Sequence, residues 1–130
     1  MIEPTFEQRN GMEIATFAVA DQFEAWLAQH AATHRELWLR VARANSGHIT
    51  VTADQALDVC LCYGWIDSLR RSDDGGYFLQ RYSPRRPGSP WSRINAAKVE
   101  ALLAAGRMQP AGQAEVAAAK AAGRWPKDSS

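Results

Sequence analysis

The chain has 130 residues, a formal net charge of +1, 46% hydrophobic residues and 22% charged residues. This length and composition predict one soluble domain whose core needs neither disulfides nor a metal. The small net charge argues against bulk electrostatic attachment to nucleic acid. No apolar run is long enough to cross a bilayer, so we expect no membrane insertion. Acidic residues stand where a secretory signal carries positive charge, which predicts a cytoplasmic location.

Hydrophobic periodicity predicts a strand, a helix and a second strand in the first part of the chain. Residues 13–18 have the pattern of a short strand, and the cap-like pair Asp21 and Glu24 predicts a helix over 21–30. The face of this helix that we expect to be buried comprises Phe23, Trp26, Leu27 and His30. Residues 36–43 then alternate as in a strand, with Leu37, Leu39 and Val41 on one side and Trp38 and Arg40 on the other.

A capping box formed by Thr52 and Gln55 predicts a helix over 53–63. On this helix Cys60 falls on the apolar stripe and Cys62 on the opposite side, so we expect Cys60 in the core and Cys62 exposed. Two cysteines that point in nearly opposite directions neither pair with each other nor chelate one metal.

A repeated motif predicts two helices at the C-terminal end. Ser92 caps a helix that runs to Ala105. The sequence Ala-Ala-Gly106-Arg-Met returns as Ala-Ala-Gly123-Arg-Trp, and in each copy the glycine ends a helix in the left-handed conformation. We therefore expect an antiparallel helical hairpin, followed by a frayed tail over 127–130. The expected apolar side of the first helix comprises Ile94, Val99, Leu102 and Leu103.

These elements predict an α+β fold. Segments 65–71 and 77–82 flank a Ser-Asp-Asp-Gly-Gly turn and predict an antiparallel hairpin. We expect one domain over residues 1–126, with a small, mostly antiparallel sheet, helices packed on one face and the C-terminal helical hairpin completing the core.

Residues 57–95 have the composition of a ligand site. Residues 65–95 contain six arginines and three aspartates, which gives this segment a local charge of +3. Arginine supplies a planar fork of donors and tryptophan a flat face, which together suit an anionic or planar ligand. The candidate ligand-binding residues are Trp65, Asp67, Arg81, Arg85, Arg86, Ser89, Trp91, Ser92 and Asn95.

Each of these residues also has a structural interpretation. Arg85 and Arg86 can clamp an anion at the helix start after Ser92, or Ser92 can be a simple cap with Trp91 as a hydrophobic staple. Trp65 suits the core better than a stacking platform. Asp67 suits an ion pair with Arg81 or Arg85, and it is the candidate acid/base only if the protein is an enzyme.

Few other residues form a pattern that indicates metal binding or catalysis. His30 and His34 have helical spacing without a recognisable third ligand, so we expect no metal and no cofactor. No Ser/His/Asp order, phosphate-binding glycine loop or carboxylate pair is present, which disfavours a hydrolase, kinase or glycosidase.

Six short motifs carry a resemblance that covers roughly residues 14–125. They are Cys-Tyr-Gly-Trp-Ile-Asp67, Tyr82-Ser-Pro-Arg-Arg86, Ser89-Pro-Trp-Ser92-Arg-Ile-Asn95, Gly106-Arg-Met108, Pro110-Ala-Gly112 and Gly123-Arg-Trp125. With them the chain resembles the YdeI/OmpD-associated family of bacterial proteins. The resemblance implies a role in bacteriocin protection or stress tolerance and a link to an outer-membrane porin, without an established reaction or ligand.

Three functions follow from these patterns. The favoured one is a non-catalytic module that binds an anionic small molecule or an acidic segment of a partner. The second is a small enzyme acting on a phosphorylated or carboxylated metabolite, with Asp67 as acid/base. The third is nucleic-acid binding, which predicts strong salt dependence.

Overall fold

A five-stranded sheet and four helices form the fold in the computed structural model, which describes residues 2–126. In chain order the elements are β1 (Thr5–Arg9), β2 (Met12–Thr16), α1 (Ala20–His30), β3 (Leu37–Ala42), α2 (Ala53–Cys62), β4 (Trp65–Ser72), β5 (Tyr77–Pro84), α3 (Arg93–Ala104) and α4 (Pro110–Ala121). The predicted α+β class is confirmed. The tail over 127–130, predicted to be frayed, lies outside the described residues.

The strand order of the sheet is β1-β2-β3-β5-β4. Three neighbouring pairs are antiparallel, and β2 with β3 is the parallel pair, which α1 connects. Strand β1 was not among the predicted elements. It pairs with β2 through a turn at Asn10 and Gly11, whose positive φ angles of 50° and 78° are typical of a two-residue hairpin.

The two faces of the sheet are covered differently. Helices α1 and α2 cover one face, and the core between them and the sheet contains Phe17, Phe23, Leu27, Leu37, Leu39, Val41, Trp65 and Tyr82. On the other face Ile14, Trp38 and Leu79 form a small cluster without any helical residue. Trp38, predicted to lie opposite the apolar side of β3, is only 3% exposed, and the guanidinium carbon of Arg71 lies 5.4 Å from its ring centre. Long arginine side chains therefore shield this face.

Helices α3 and α4 form a second core against α2. Its buried members are Leu57, Leu61, Cys62, Trp91, Val99, Leu102, Met108, Val116 and Ala119. The predicted exposure of Cys62 is wrong, because α4 covers the side of α2 that points away from the sheet. A Cβ atom added to Gly112 would lie 2.4 Å from the carbonyl oxygen of Cys62, so glycine permits this close approach. Ile94 and Leu103, predicted on the apolar side of α3, are 72% and 37% exposed, because the buried side of α3 is formed by Ala96, Val99 and Leu102 instead.

Helix ends follow local sequence signals, with one exception. The capping box of Thr52 and Gln55 is confirmed at the start of α2. Helix α1 begins after Val19 without a side-chain cap, so the predicted cap at Asp21 is wrong. His30 at its end is half-buried rather than buried.

The repeated motif ends α3 and α4 in the same way. The amide of Arg107 donates to Leu102 O at 3.0 Å, and the amide of Arg124 donates to Ala119 O at 2.8 Å. These bonds, together with the positive φ of Gly106 and Gly123, form a Schellman motif at the end of each helix, where the repeated motif predicts a left-handed glycine.

Candidate anion-binding site

A loop from Arg85 to Ser92 connects the sheet to α3. Strand β5 ends at Pro84, and the amide of Arg85 donates to Gly64 O at 3.0 Å as the chain leaves the sheet. Trp91 then enters the second core with 8% of its surface exposed. The loop is therefore anchored at both ends, and the Arg85 side chain lies between the anchors.

Arg85 is the most unusual side chain of the described residues. Only 7% of its surface is exposed, although arginine is among the residue types least often buried. The guanidinium carbon lies 3.7 Å from the ring centre of Trp91, which is close cation–π geometry. Nη2 donates to Pro90 O at 2.9 Å. Nε and Nη1 are buried and have no acceptor among residues 2–126.

The charge of Arg85 is also incompletely compensated. Burial lowers the pKa of Arg85, while the carboxylates of Glu115 and Asp67 raise it and the guanidinium of Arg124 lowers it further. An arginine still keeps its proton at neutral pH. None of the ion pairs among residues 2–126 includes Arg85. The side chain is therefore a buried cation whose nearest carboxylates act on it only at a distance.

The end of α4 contributes a second arginine that was not among the predicted site residues. Nη1 of Arg124 donates to Ser89 O at 2.8 Å, so Arg85 and Arg124 bind the neighbouring carbonyl groups of Pro90 and Ser89. Trp125 follows, with its ring centre 4.9 Å from that of Trp91. The repeated glycine-arginine motif includes these positions, but the motif by itself predicts only the end of a helix.

Three of the predicted residues do not join this site. Trp65 is 1% exposed and its Nε1–H donates to Ala31 O at 3.4 Å, which fits its interpretation as a core residue. Asp67 lies opposite Tyr82 and is exposed, whereas Arg81 lies opposite Trp38 on the other face of the sheet. Adjacent strand residues point to opposite faces, so Asp67 and Arg81 cannot form the predicted ion pair. Arg81 instead binds Glu36 at 2.6 Å.

The remaining predicted residues lie in the loop and in the first turn of α3. Arg86 is exposed, and Ser89 is half-exposed. The hydroxyl of Ser92 accepts from the amide of Asn95 at 3.0 Å, which makes Ser92 an N-cap. This cap occupies the helix start, so the interpretation of Ser92 and Asn95 as helix-capping residues accounts for their positions.

A separate hollow of about 260 Å³ lies between the end of α1 and the start of α4. Alanines line much of it, and its one hydroxyl, from Tyr63, donates to Glu24 at 3.2 Å. Burial and the neighbouring Glu24 carboxylate raise the pKa of Tyr63 to about 12. The hollow contains none of the predicted site residues.

The histidines and other ligand-type residues form no metal cluster among residues 2–126. The ring of His30 stacks on Trp26 with centres 4.6 Å apart, and its Nδ1 lies 2.9 Å from Trp26 O. His30 therefore has a structural role in the packing of α1.

Comparison with known proteins places most of the chain in a family. Residues 15–115 match the family described as Domain of unknown function (DUF8412). The chain belongs to this family. The part matched to DUF8412 contains Arg85, Trp91 and Glu115 but ends before Arg124. No curated protein and no solved structure matches the chain. No helix among residues 2–126 has the length and hydrophobicity that crossing a bilayer requires.

Proposed function

We propose that this protein is a non-catalytic binding module for an anionic small molecule, and that the anion binds at Arg85. An acidic side chain of a partner protein could present the same group. The observation that carries this proposal is the pair of buried Arg85 nitrogens, Nε and Nη1, without an acceptor.

Because these nitrogens are buried without an acceptor in the described part of the chain, a ligand that accepts their hydrogen bonds would lower the free energy of the site. A buried donor without a partner costs about 1–3 kcal/mol, and more when it belongs to a charged group. Nε carries one N–H bond and Nη1 carries two, so three N–H bonds of Arg85 have no acceptor among residues 2–126. Anion oxygens satisfy arginine donors in short, charge-assisted bonds. Trp91 holds the guanidinium in place beforehand, which reduces the entropy lost on binding.

The other two functions have less support from the geometry. The enzyme alternative relies on Asp67, which is exposed on the edge strand β4 and belongs to none of the ion pairs of residues 2–126. Nucleic-acid binding needs a contiguous basic surface. The arginines of the predicted patch are instead divided, since Arg81 is paired on the outer sheet face and Arg85 is buried in the loop.

The biological setting belongs to the same proposal. A stress or bacteriocin-protection role follows from the resemblance to the YdeI/OmpD-associated family. A cytoplasmic location stays a prediction, which fractionation of cells producing the tagged protein tests. An anion-binding module fits such a role as a receptor for a charged metabolite.

A thermal-shift screen tests the proposed function. The panel contains phosphate, sugar phosphates, nucleotides, carboxylic acids and short nucleic acids at one ionic strength. A ligand at about one hundred times its Kd adds roughly 2.7 kcal/mol to the stability of the native protein. We expect this shift in the wild type and in Arg86→Ala, because Arg86 is exposed, and not in Arg85→Met.

Two outcomes contradict the proposal. The first is an unchanged melting temperature with every compound in a cooperatively folded protein. The second is a shift that survives Arg85→Met, which places the ligand elsewhere.

A further inference from the structure

We infer that Arg124 is the second anion-binding residue of this site, and that the ligand is a dianionic oxyanion such as a phosphate group. The inference rests on the proposed function, and it concerns the class of ligand that the Arg85 site accepts.

Two arginines bind neighbouring carbonyl groups of the loop. Arg85 binds Pro90 O at 2.9 Å from the sheet side, and Arg124 binds Ser89 O at 2.8 Å from the end of α4. These carbonyl groups belong to consecutive residues, so the two guanidinium groups bind neighbouring points of the loop. Their repulsion contributes to the lowered pKa of Arg85.

Two like charges held together in a partly dehydrated site favour a ligand that carries more than one negative charge. A phosphate dianion has enough acceptor oxygens to bind the open donors of Arg85 and those of a second guanidinium at once. A monocarboxylate has two oxygens, which Arg85 alone can occupy. The arrangement therefore favours the dianion.

The bond from Arg124 Nη1 to Ser89 O joins the loop to the end of α4, one residue before the carbonyl that Arg85 binds. A bound dianion gives Arg124 a charged acceptor in place of a neutral carbonyl. The bond to the carbonyl is already assisted by the charge of the guanidinium, and an ionised acceptor adds Coulomb attraction, so this exchange favours binding. Glu115 is the one acidic group near Arg85 on α4, and it acts as a fixed competitor for the guanidinium.

Isothermal titration calorimetry with inorganic phosphate and with acetate, at pH 8 and equal ionic strength, tests the inference. We expect the wild type to bind phosphate at least tenfold more tightly than acetate. Arg124→Gln should weaken phosphate binding about tenfold to a hundredfold, as expected for a lost charge-assisted bond, and acetate binding less than threefold. The matched control is Arg107→Gln, because Arg107 occupies the equivalent place after α3 and is exposed.

The outcomes separate this inference from the proposed function. The dianion inference is overturned if Arg124→Gln loses the same factor of affinity for phosphate and for acetate, or if the wild type binds both anions equally tightly. Either result leaves anion binding at Arg85 intact. Wild-type protein that binds neither anion, or binding that survives Arg85→Met, overturns the proposed function as well. If Arg124→Gln does not fold, Arg124→Lys decides: it keeps the charge but loses the fork, and an intermediate preference for phosphate is expected.

Discussion

Replacing Arg85 with methionine should leave the stability of the protein nearly unchanged, although the residue is buried. The substitution removes the bond from Nη2 to Pro90 O, a hydrogen bond of a charged group worth about 1.5–3 kcal/mol. It also removes the contact with Trp91, worth about 2 kcal/mol when desolvated. Against this loss, it removes two buried groups without partners, Nε and Nη1, which cost about 1–3 kcal/mol each.

The balance of these contributions is close to zero. Methionine also packs on Trp91 through its sulfur, which restores about 0.3–1.5 kcal/mol. Replacing buried charges with apolar groups of similar volume is often neutral or stabilising. We therefore expect Arg85→Met to change the free energy of unfolding by no more than about 1 kcal/mol in the absence of a ligand.

Urea denaturation followed by tryptophan fluorescence measures this change, in a buffer without multivalent anions. Arg107→Met serves as the exposed control and should stay within about 0.5 kcal/mol of wild type. A loss of more than about 3 kcal/mol in Arg85→Met would refute the reasoning. It would show that the donors of Arg85 are satisfied in the native protein, and the proposed anion site would lose its main support.

Three further outcomes follow from the fold. Gly112→Ala should destabilise the protein by about 1–3 kcal/mol in urea denaturation, because its Cβ would meet Cys62 O at 2.4 Å; a stability equal to wild type would contradict this packing. Burial raises the pKa of Cys62 to about 11, so iodoacetamide should react far more slowly with the folded protein than with the urea-unfolded protein at pH 8, and equal rates would contradict the burial. Burial raises the pKa of Asp73, but the bonds that it accepts from Arg40, the Asp74 backbone amide and Arg9 outweigh burial and lower the pKa. The stabilisation by these bonds is therefore present above the unfolded pKa of about 4 and is lost as the pH falls through the lower folded value. Acid titrations followed by circular dichroism should therefore show a weaker dependence on pH below 4 in Asp73→Asn, and unchanged curves would contradict the ion pairs.

Local signals predicted most of the elements, because they involve residues a few positions apart. Thr52 and Gln55 satisfy each other's backbone groups, and the glycines after α3 and α4 end both helices through bonds within six residues. Strand β1 also had such a signal in Asn10-Gly11, but its polar composition hid the alternation.

The candidate site was predictable only as a region of the chain. The pairing of β3, β5 and β4 decides on which face of the sheet Arg81 lies and whether Asp67 can reach the Arg81 side chain. The burial of Arg85 depends on Trp91, which α2, α3 and α4 enclose together. No pattern within the loop distinguishes the buried Arg85 from its exposed neighbour Arg86, because tertiary packing makes that difference.

The bond between Arg124 and Ser89 joins positions 35 residues apart, and this separation has a consequence for local unfolding. The bond forms only when α3 and α4 have both docked, so the loop and the end of α4 should open as one cooperative unit. In native-state hydrogen exchange, the amides of Ser89 and Arg124 should then have equal opening free energies, which one ligand would raise together. The two segments would respond to binding as a single dynamic element, although the sheet and α2 remain closed.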